Sequence, residues 1–168
     1  MKEYSIQRVD WRPDWTKIPV LCIDQSYQQS PRDIRAFAQI CYHADAILVH
    51  LWAEEPHIRA VEKGPLGMPC EDSCLEFFFR PVSGDPRYFN FEFNPNGCMY
   101  LGIGRGIQDL TRLVPRRGAD LFHPVINQSE DGWEIFFQIP CVLFKGFSPI
   151  STSGLKSRFG LTVTNARI

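Results

Sequence analysis

Two carboxylates, Glu76 and Glu92, stand among phenylalanines in the stretch CEDSCLEFFFRPVSGDPRYFNFEFNPNG, residues 70–97. Acids in apolar company bind a metal, share a proton, accept ligand hydroxyls, or work as an acid–base pair. Which of these is open to them depends on where they point. Strand side chains alternate between faces. Across 73–80, Leu75, Phe77 and Phe79 share one side, and Cys74, Glu76, Phe78 and Arg80 share the other. Across 88–94, Phe89, Phe91 and Phe93 form the apolar side, and Tyr88, Asn90, Glu92 and Asn94 the polar one. The connection 81–87 suits a hairpin, and matched apolar sides force matched polar sides. Glu76 and Glu92 then stand on the outer face of adjacent strands, about 5 Å apart if directly opposite. Their repulsion calls for compensation by Arg80, a metal ion, a shared proton or ligand hydroxyls. This mixture of carboxylate, amide and aromatic groups suits a sugar: acids and amides take hydroxyls, and rings cover C–H patches.

The elements that position these groups read as strands. Thirteen prolines, thirteen phenylalanines and many turn signals point to an all-β domain. Strands are predicted at 36–43, 46–54, 73–81, 88–94, 98–104, 121–127, 132–139 and 157–165. Asn94-Pro-Asn-Gly97 supplies a fixed φ and a residue at ease with positive φ, as a hairpin needs. Asp131-Gly132 does similar work before Trp133. Ser30-Pro31-x-Asp33 suits a helix cap, yet Ala38, Ile40 and Tyr42 alternate, so a strand is preferred for the second half of that segment. The stretch 105–120 reads as a long connection with one helical turn. Gly102-x-Gly104-x-Gly106 lacks the lysine and the strand–turn–helix context of a phosphate loop, so these glycines belong to a strand end.

Parity sorts the other strands too. Ile47, Val49, Leu51 and Ala53 are core, opposite Leu48, His50 and Trp52. Trp133, Ile135, Phe137 and Ile139 are core, opposite Glu134, Phe136 and Gln138. Two antiparallel sheets packed through these sides give a β-sandwich, read here as one domain over 1–168. Trp11 and Trp15 are expected to cover one end of it, and Trp52 to pack under the loop 55–66. His50 reads as a hydrogen-bonded structural histidine.

Composition removes several function classes. A formal charge of −1 without a basic stripe offers no footprint for nucleic acid. No apolar run approaches the roughly 20 residues that span a bilayer, so no membrane partner is expected. MKEYSIQRVDW lacks the apolar core of a secretory signal, which implies a cytoplasmic protein or one whose leader was removed. Cys22, Cys41, Cys70, Cys74, Cys98 and Cys141 show no C-x-x-C pair, and no histidine pair completes a ligand set around Cys70 and Cys74. They read as small, mostly buried thiols.

The order of segments resembles the family-9-like carbohydrate-binding modules. The matching features are Trp11, Trp15 and Ile18-Pro19, then AILVHLWAEEPHIRA, EDSCLEFFFRP, YFNFEFNPNG, DGWEIFFQIP and RFGLTVTNARI. The most specific part is Asp72-Ser73-x-x-Glu76-x-Phe78 with Tyr88 to Gly97 downstream. The resemblance implies a jelly-roll-like sandwich that binds saccharides without a catalytic cofactor, in the service of carbohydrate catabolism and often attached to a glycoside hydrolase. It implies that Glu76 accepts sugar hydroxyls, with Glu92 and Asn94 on the next strand and Gln138 as a further contact. Where sugar-binding members place a clamping aromatic, this chain has Met68-Pro69-Cys70. Trp52 and Tyr88 are the candidate substitutes, with Asn90 and Arg80 completing the expected ligand set. Some members hold structural calcium. Asp72 is the candidate oxygen for it, although Asp72 with Ser73 also suits orienting the start of the strand through side-chain-to-backbone bonds. A second class of function is a glycoside hydrolase using Glu76 and Glu92 as its carboxylate pair, which needs carboxyls about 5–5.5 Å apart for retention.

Overall fold

Alternating apolar residues do fold as strands, and the strands build two facing sheets. The computed structural model describes residues 4–23, 34–82 and 84–144, and the backbone of 158–164. Among these lie β1 (Gln7–Arg8), β2 (Leu21–Ile23), β3 (Arg35–Tyr42), β4 (Ala46–Glu54), β5 (Cys74–Arg80), β6 (Tyr88–Phe93), β7 (Met99–Gly104), β8 (Thr111–Arg112), β9 (Val125–Ser129), β10 (Gly132–Pro140) and β11 (Arg158–Thr164). The first sheet runs β1-β3-β4-β10-β9, with β2 also paired to β3; the second runs β11-β5-β6-β7-β8. This is the all-β sandwich that strand parity implies. One edge departs from the antiparallel expectation, since β1 lies parallel to β3.

The apolar sides meet as parity predicts. Val49, Leu51, Ile135 and Phe137 of the first sheet face Phe77, Phe79, Phe89, Phe91 and Phe93 of the second, all buried. Phe93 and Phe137 close the interface with ring centroids 4.9 Å apart. Phe91 meets Phe122 edge-on at 5.3 Å. Removing any one of these rings deletes a transfer contribution and leaves a cavity, a combined cost of about 3–5 kcal/mol.

Some elements differ from expectation. The predicted strand 121–127 starts only at Val125, because Gly118–Phe122 winds as a 3-10 turn. His123 at φ 47 and ψ 53 ends the turn, and Phe122 serves as a plug into the core rather than as a ladder residue. The connection 105–120 holds a 3-10 turn at Ile107–Asp109 and the two-residue strand β8. The segment 34–42 is the strand β3, while the capping signal at 30–33 lies outside the described residues.

The outer face of the first sheet is closed by a column of rings. Phe37 stacks on Trp52 at 5.1 Å, Trp52 on His50 at 4.6 Å, and His50 on Phe136 at 3.9 Å. Trp15 meets His50 edge-on. The imidazole Nδ1 lies 2.9 Å from Gln39 Oε1 and Nε2 lies 2.8 Å from Glu134 Oε2. Burial in this column lowers the His50 pKa against the pull of Glu134. Trp52 therefore packs on Phe37 and His50 rather than under a loop. Trp11, 74% exposed beside His43, covers no end of the sandwich.

Gly132 occupies a place no other residue can. Its φ is +153°, and a Cβ built there would lie 2.0 Å from the Ala53 carbonyl oxygen of β4. Gly84, at φ +89°, opens onto free space. Gly132→Ala is expected to destabilise the fold by about 2 kcal/mol or more, and Gly84→Ala by about 1 kcal/mol from backbone strain alone. Urea unfolding of the two variants measures the gap, and equal losses would overturn the account of Gly132.

Candidate functional site

The β5–β6 ladder sets the two acids directly opposite each other, Glu76 against Glu92. Phe78 stands opposite Asn90, which in turn stands opposite Gly102 of β7, and Glu92 stands opposite Tyr100. Parity thus brings Glu76, Glu92, Asn90 and Tyr88 onto one face. It does not leave them open. Glu76 and Glu92 are each 8% exposed and Asn90 is 3% exposed. The sequence reading of an exposed outer face is corrected here, because the loop between β4 and β5 folds back over it.

That loop is held by a set of long-range hydrogen bonds. Asp72, fully buried, accepts at Oδ2 from the Val61 and Glu62 backbone N–H groups at 2.9 and 2.7 Å, and from Asn94 Nδ2 at 2.8 Å. Asn94 also donates to the Glu62 carbonyl, and its Oδ1 accepts from the backbone N–H groups of Asn96 and Cys98. Ser73 Oγ donates to Glu55 Oε1 at 2.6 Å and accepts from the Arg59 N–H. The candidate ligand contact Asn94 is thus a buried strut, fully enclosed. The candidate calcium residue Asp72 gives Oδ2 to three N–H donors, while its enclosed Oδ1 has the Arg59 guanidinium 3.3 Å away. The strutted loop ends in the 3-10 turn Pro69–Glu71, which packs on β5 and β6.

Tyr100 and Arg112 are site residues that sequence reasoning missed. Applying parity to 98–104 would have placed Tyr100 beside Glu92; nothing local marks Arg112. The guanidinium lies 5.0 Å from the Tyr100 ring centroid. It donates to the carbonyls of Pro65, Leu66 and Gly67 at 3.0, 3.2 and 2.6 Å, tying β8 to the covering loop. Gly102 leaves room for Tyr100: a Cβ there would sit 2.7 Å from the ring. Tyr88, half-buried, leans on Phe78 with centroids 5.7 Å apart.

Three other expected contacts fall elsewhere. Trp52 and Gln138 lie on β4 and β10, on the outer face of the first sheet and across the core from Glu76. Parity assigns a side, not a sheet, and so could not separate them. Arg80 shares the face of Glu76 but stands four residues along β5, about 13 Å in strand rise. The cation that Glu92 feels is Arg112.

Electrostatics at the pair are unfavourable to charge. Burial first, and Glu76 second, push the Glu92 carboxyl up to about 7, while the hydrogen bond from Asn90 Nδ2 at 2.7 Å opposes the rise. Burial, Glu92 and Glu76 push the Cys70 thiol to about 11. A Glu near pH 7 both donates and accepts hydrogen bonds, which widens what the pair can hold.

An acid raised from about 4.5 to about 7 keeps its proton in the fold after the unfolded chain has released it. Its contribution is fully present below pH 4.5, is lost as pH rises towards 7, and is flat above. Glu92→Gln removes that loss. In EDTA buffer, the stability of the variant relative to the parent is expected to rise by roughly 2–3 kcal/mol between pH 4.5 and pH 8. Urea unfolding across that range checks this, and parallel curves would refute the raised carboxyl.

Comparison with known proteins agrees with this architecture. No curated protein sequence matches the chain. A crystal structure of a Bacteroides uniformis protein, named as a candidate carbohydrate-binding protein, is similar in fold, with a TM-score of 0.77 at 24% identity over 91% of this chain and 74% of that one. A family 9 carbohydrate-binding module from Caldicellulosiruptor kristjanssonii in complex with cellotriose aligns with a TM-score of 0.61 at 12% identity, over 98% of this chain and 78% of that one. The same organism's family 9 module in complex with glucose aligns with a TM-score of 0.56 at 13% identity, over 97% and 77%. The model of carbohydrate-binding family 9 matches residues 13–148, and with most of its length matched the chain belongs to that family.

Proposed function

We propose that this protein is a non-catalytic saccharide-binding domain whose site is the polar strip on the outer face of the second sheet. The observation that carries this reading is the cross-strand pair Glu76–Glu92, flanked by Asn90 and by the rings of Phe78, Tyr88 and Tyr100. Carboxylate oxygens accept from vicinal hydroxyls, the amide supplies both a donor and an acceptor, and the rings cover C–H surface. The covering loop, pinned by Asp72, Asn94 and Arg112, walls this strip, and because Glu76, Glu92 and Asn90 are buried beneath it, a saccharide hydroxyl reaches the pair only as the loop gives way. The relatives bound to glucose and cellotriose make glucose and short β-glucans the first ligands to try. A role in carbohydrate catabolism follows from the same reading.

Calorimetric titration with glucose, cellobiose and cellotriose tests it. A dissociation constant in the millimolar range or tighter is expected for one of them, weakened at least tenfold, about 1.4 kcal/mol, by Glu76→Ala. No saccharide binding at all would overturn the proposal. Sustained turnover of aryl glycosides, abolished by Glu92→Gln, would replace it with a glycoside hydrolase built on the same two acids.

A further inference from the structure

Beside the two acids stands a thiol. One ligand atom from each of Cys74, Glu76 and Glu92 lies within 4.8 Å of the other two, and all three residues are buried. Cys74 starts β5 on the same face as Glu76, two residues before it, and Glu92 closes the triangle from β6. Glu92 Oε2 is fully enclosed and receives no N–H or O–H donor, and besides Asn90 the donor that serves this carboxyl is the Cys70 thiol. A buried carboxylate oxygen left so is costly unless something of opposite charge reaches it. Cys70, half-buried on the Pro69–Glu71 turn, flanks the same carboxylate. The donor set is thus two carboxylates and one thiol, with a second thiol at the rim.

We infer that Cys74, Glu76 and Glu92 form a binding site for a thiophilic divalent ion of the Zn2+ class, with Cys70 placed to supply a fourth ligand. Calcium and magnesium take oxygen donors, so a thiol in the set selects against them. Zinc accepts thiolate and carboxylate together, in tetrahedral geometry at about 2.3 and 2.0–2.2 Å. Ligand atoms around such an ion are roughly 3.5 Å apart, so the three groups need to close by about 1 Å, within reach of small side-chain rotations. The ion would neutralise the paired acids and satisfy the enclosed Oε2. Binding releases the thiol proton and any proton held by the pair. If Cys70 stays back, the fourth position is open to a ligand oxygen.

This inference does not rest on the saccharide reading, since the probe is the metal alone. The full chain, stripped with EDTA, is titrated with ZnCl2 by calorimetry and with CoCl2 by absorbance. One ion per chain is expected, and the cobalt complex should show a thiolate-to-metal charge-transfer band. Cys74→Ser should weaken the band and Cys74→Ser combined with Cys70→Ser should abolish it, and both Cys74→Ser and Glu92→Gln should weaken Zn2+ at least tenfold. Cys22→Ser, whose thiol is exposed on β2, should change neither. Far-UV circular dichroism confirms that each variant is folded. Absence of Zn2+ binding by the stripped parent, a cobalt complex without the band, or unchanged affinity in Cys74→Ser each overturns the site. A saccharide titration of the stripped chain fails or succeeds on its own, so the two readings fall separately.

Discussion

The pairing of Phe77 with Phe91, inside the sandwich, governs what stands on its outer side. Both rings are driven into the core, and a strand has only two faces. Their neighbours in sequence, Glu76 and Glu92, are therefore turned outward together and brought opposite each other. Slipping β5 by one residue against β6 would turn Glu76 into the core and Phe77 outside. The hydrophobic term so outweighs the repulsion of two carboxylates that the acids have no say in their own placement. What they can change is their protonation and their company, and the structure shows an adjustment of each kind: a raised Glu92 carboxyl and a guanidinium held over Tyr100.

Parity makes this part of the molecule legible from the sequence alone. The opposition of Glu76 and Glu92, the buried Trp133 and the turn at Gly97 all follow from local alternation and turn chemistry. What stayed hidden depends on contacts between residues distant in sequence. Burial of the pair comes from the 55–73 loop, and that loop is placed by Asp72, Ser73 and Asn94, whose partners lie far along the chain. Asn94 looked like a ligand contact because parity reports a face and not a hydrogen-bond partner. Trp52 and Gln138 were drawn to the wrong sheet for a related reason: both sheets have a polar side, and nothing in the alternation distinguishes them. Phe122 resembled a strand residue because an apolar plug on a 3-10 turn carries no periodic signature. Cys74 is the small buried thiol that its sequence context implies, and its nearness to Glu92 on the neighbouring strand carries no spaced motif.

Stability and the proposed recognition pull against each other at this face. Close by, Asp72 meets three N–H donors at Oδ2, while its enclosed Oδ1 receives no hydrogen bond. At the pair, an enclosed carboxylate oxygen is left without such a donor. Proteins concentrate such unmet polar groups where something else is to be bound, and the rest of the fold carries the loss. Here the carrier is the phenylalanine core one residue away on the same strands, whose burial far exceeds the cost of one orphaned oxygen.

Asn94 has a consequence for anyone recombining this domain with its relatives. A single amide joins the turn after β6 to Asp72 and to the backbone of Glu62. Residues 55–73 and 94–98 are therefore one cassette, although they are separate in sequence. A loop exchanged without its turn would arrive with buried donors and acceptors facing strangers, and a turn exchanged without its loop would leave the same groups behind. Diversification of the wall of the candidate site has to proceed by paired exchange.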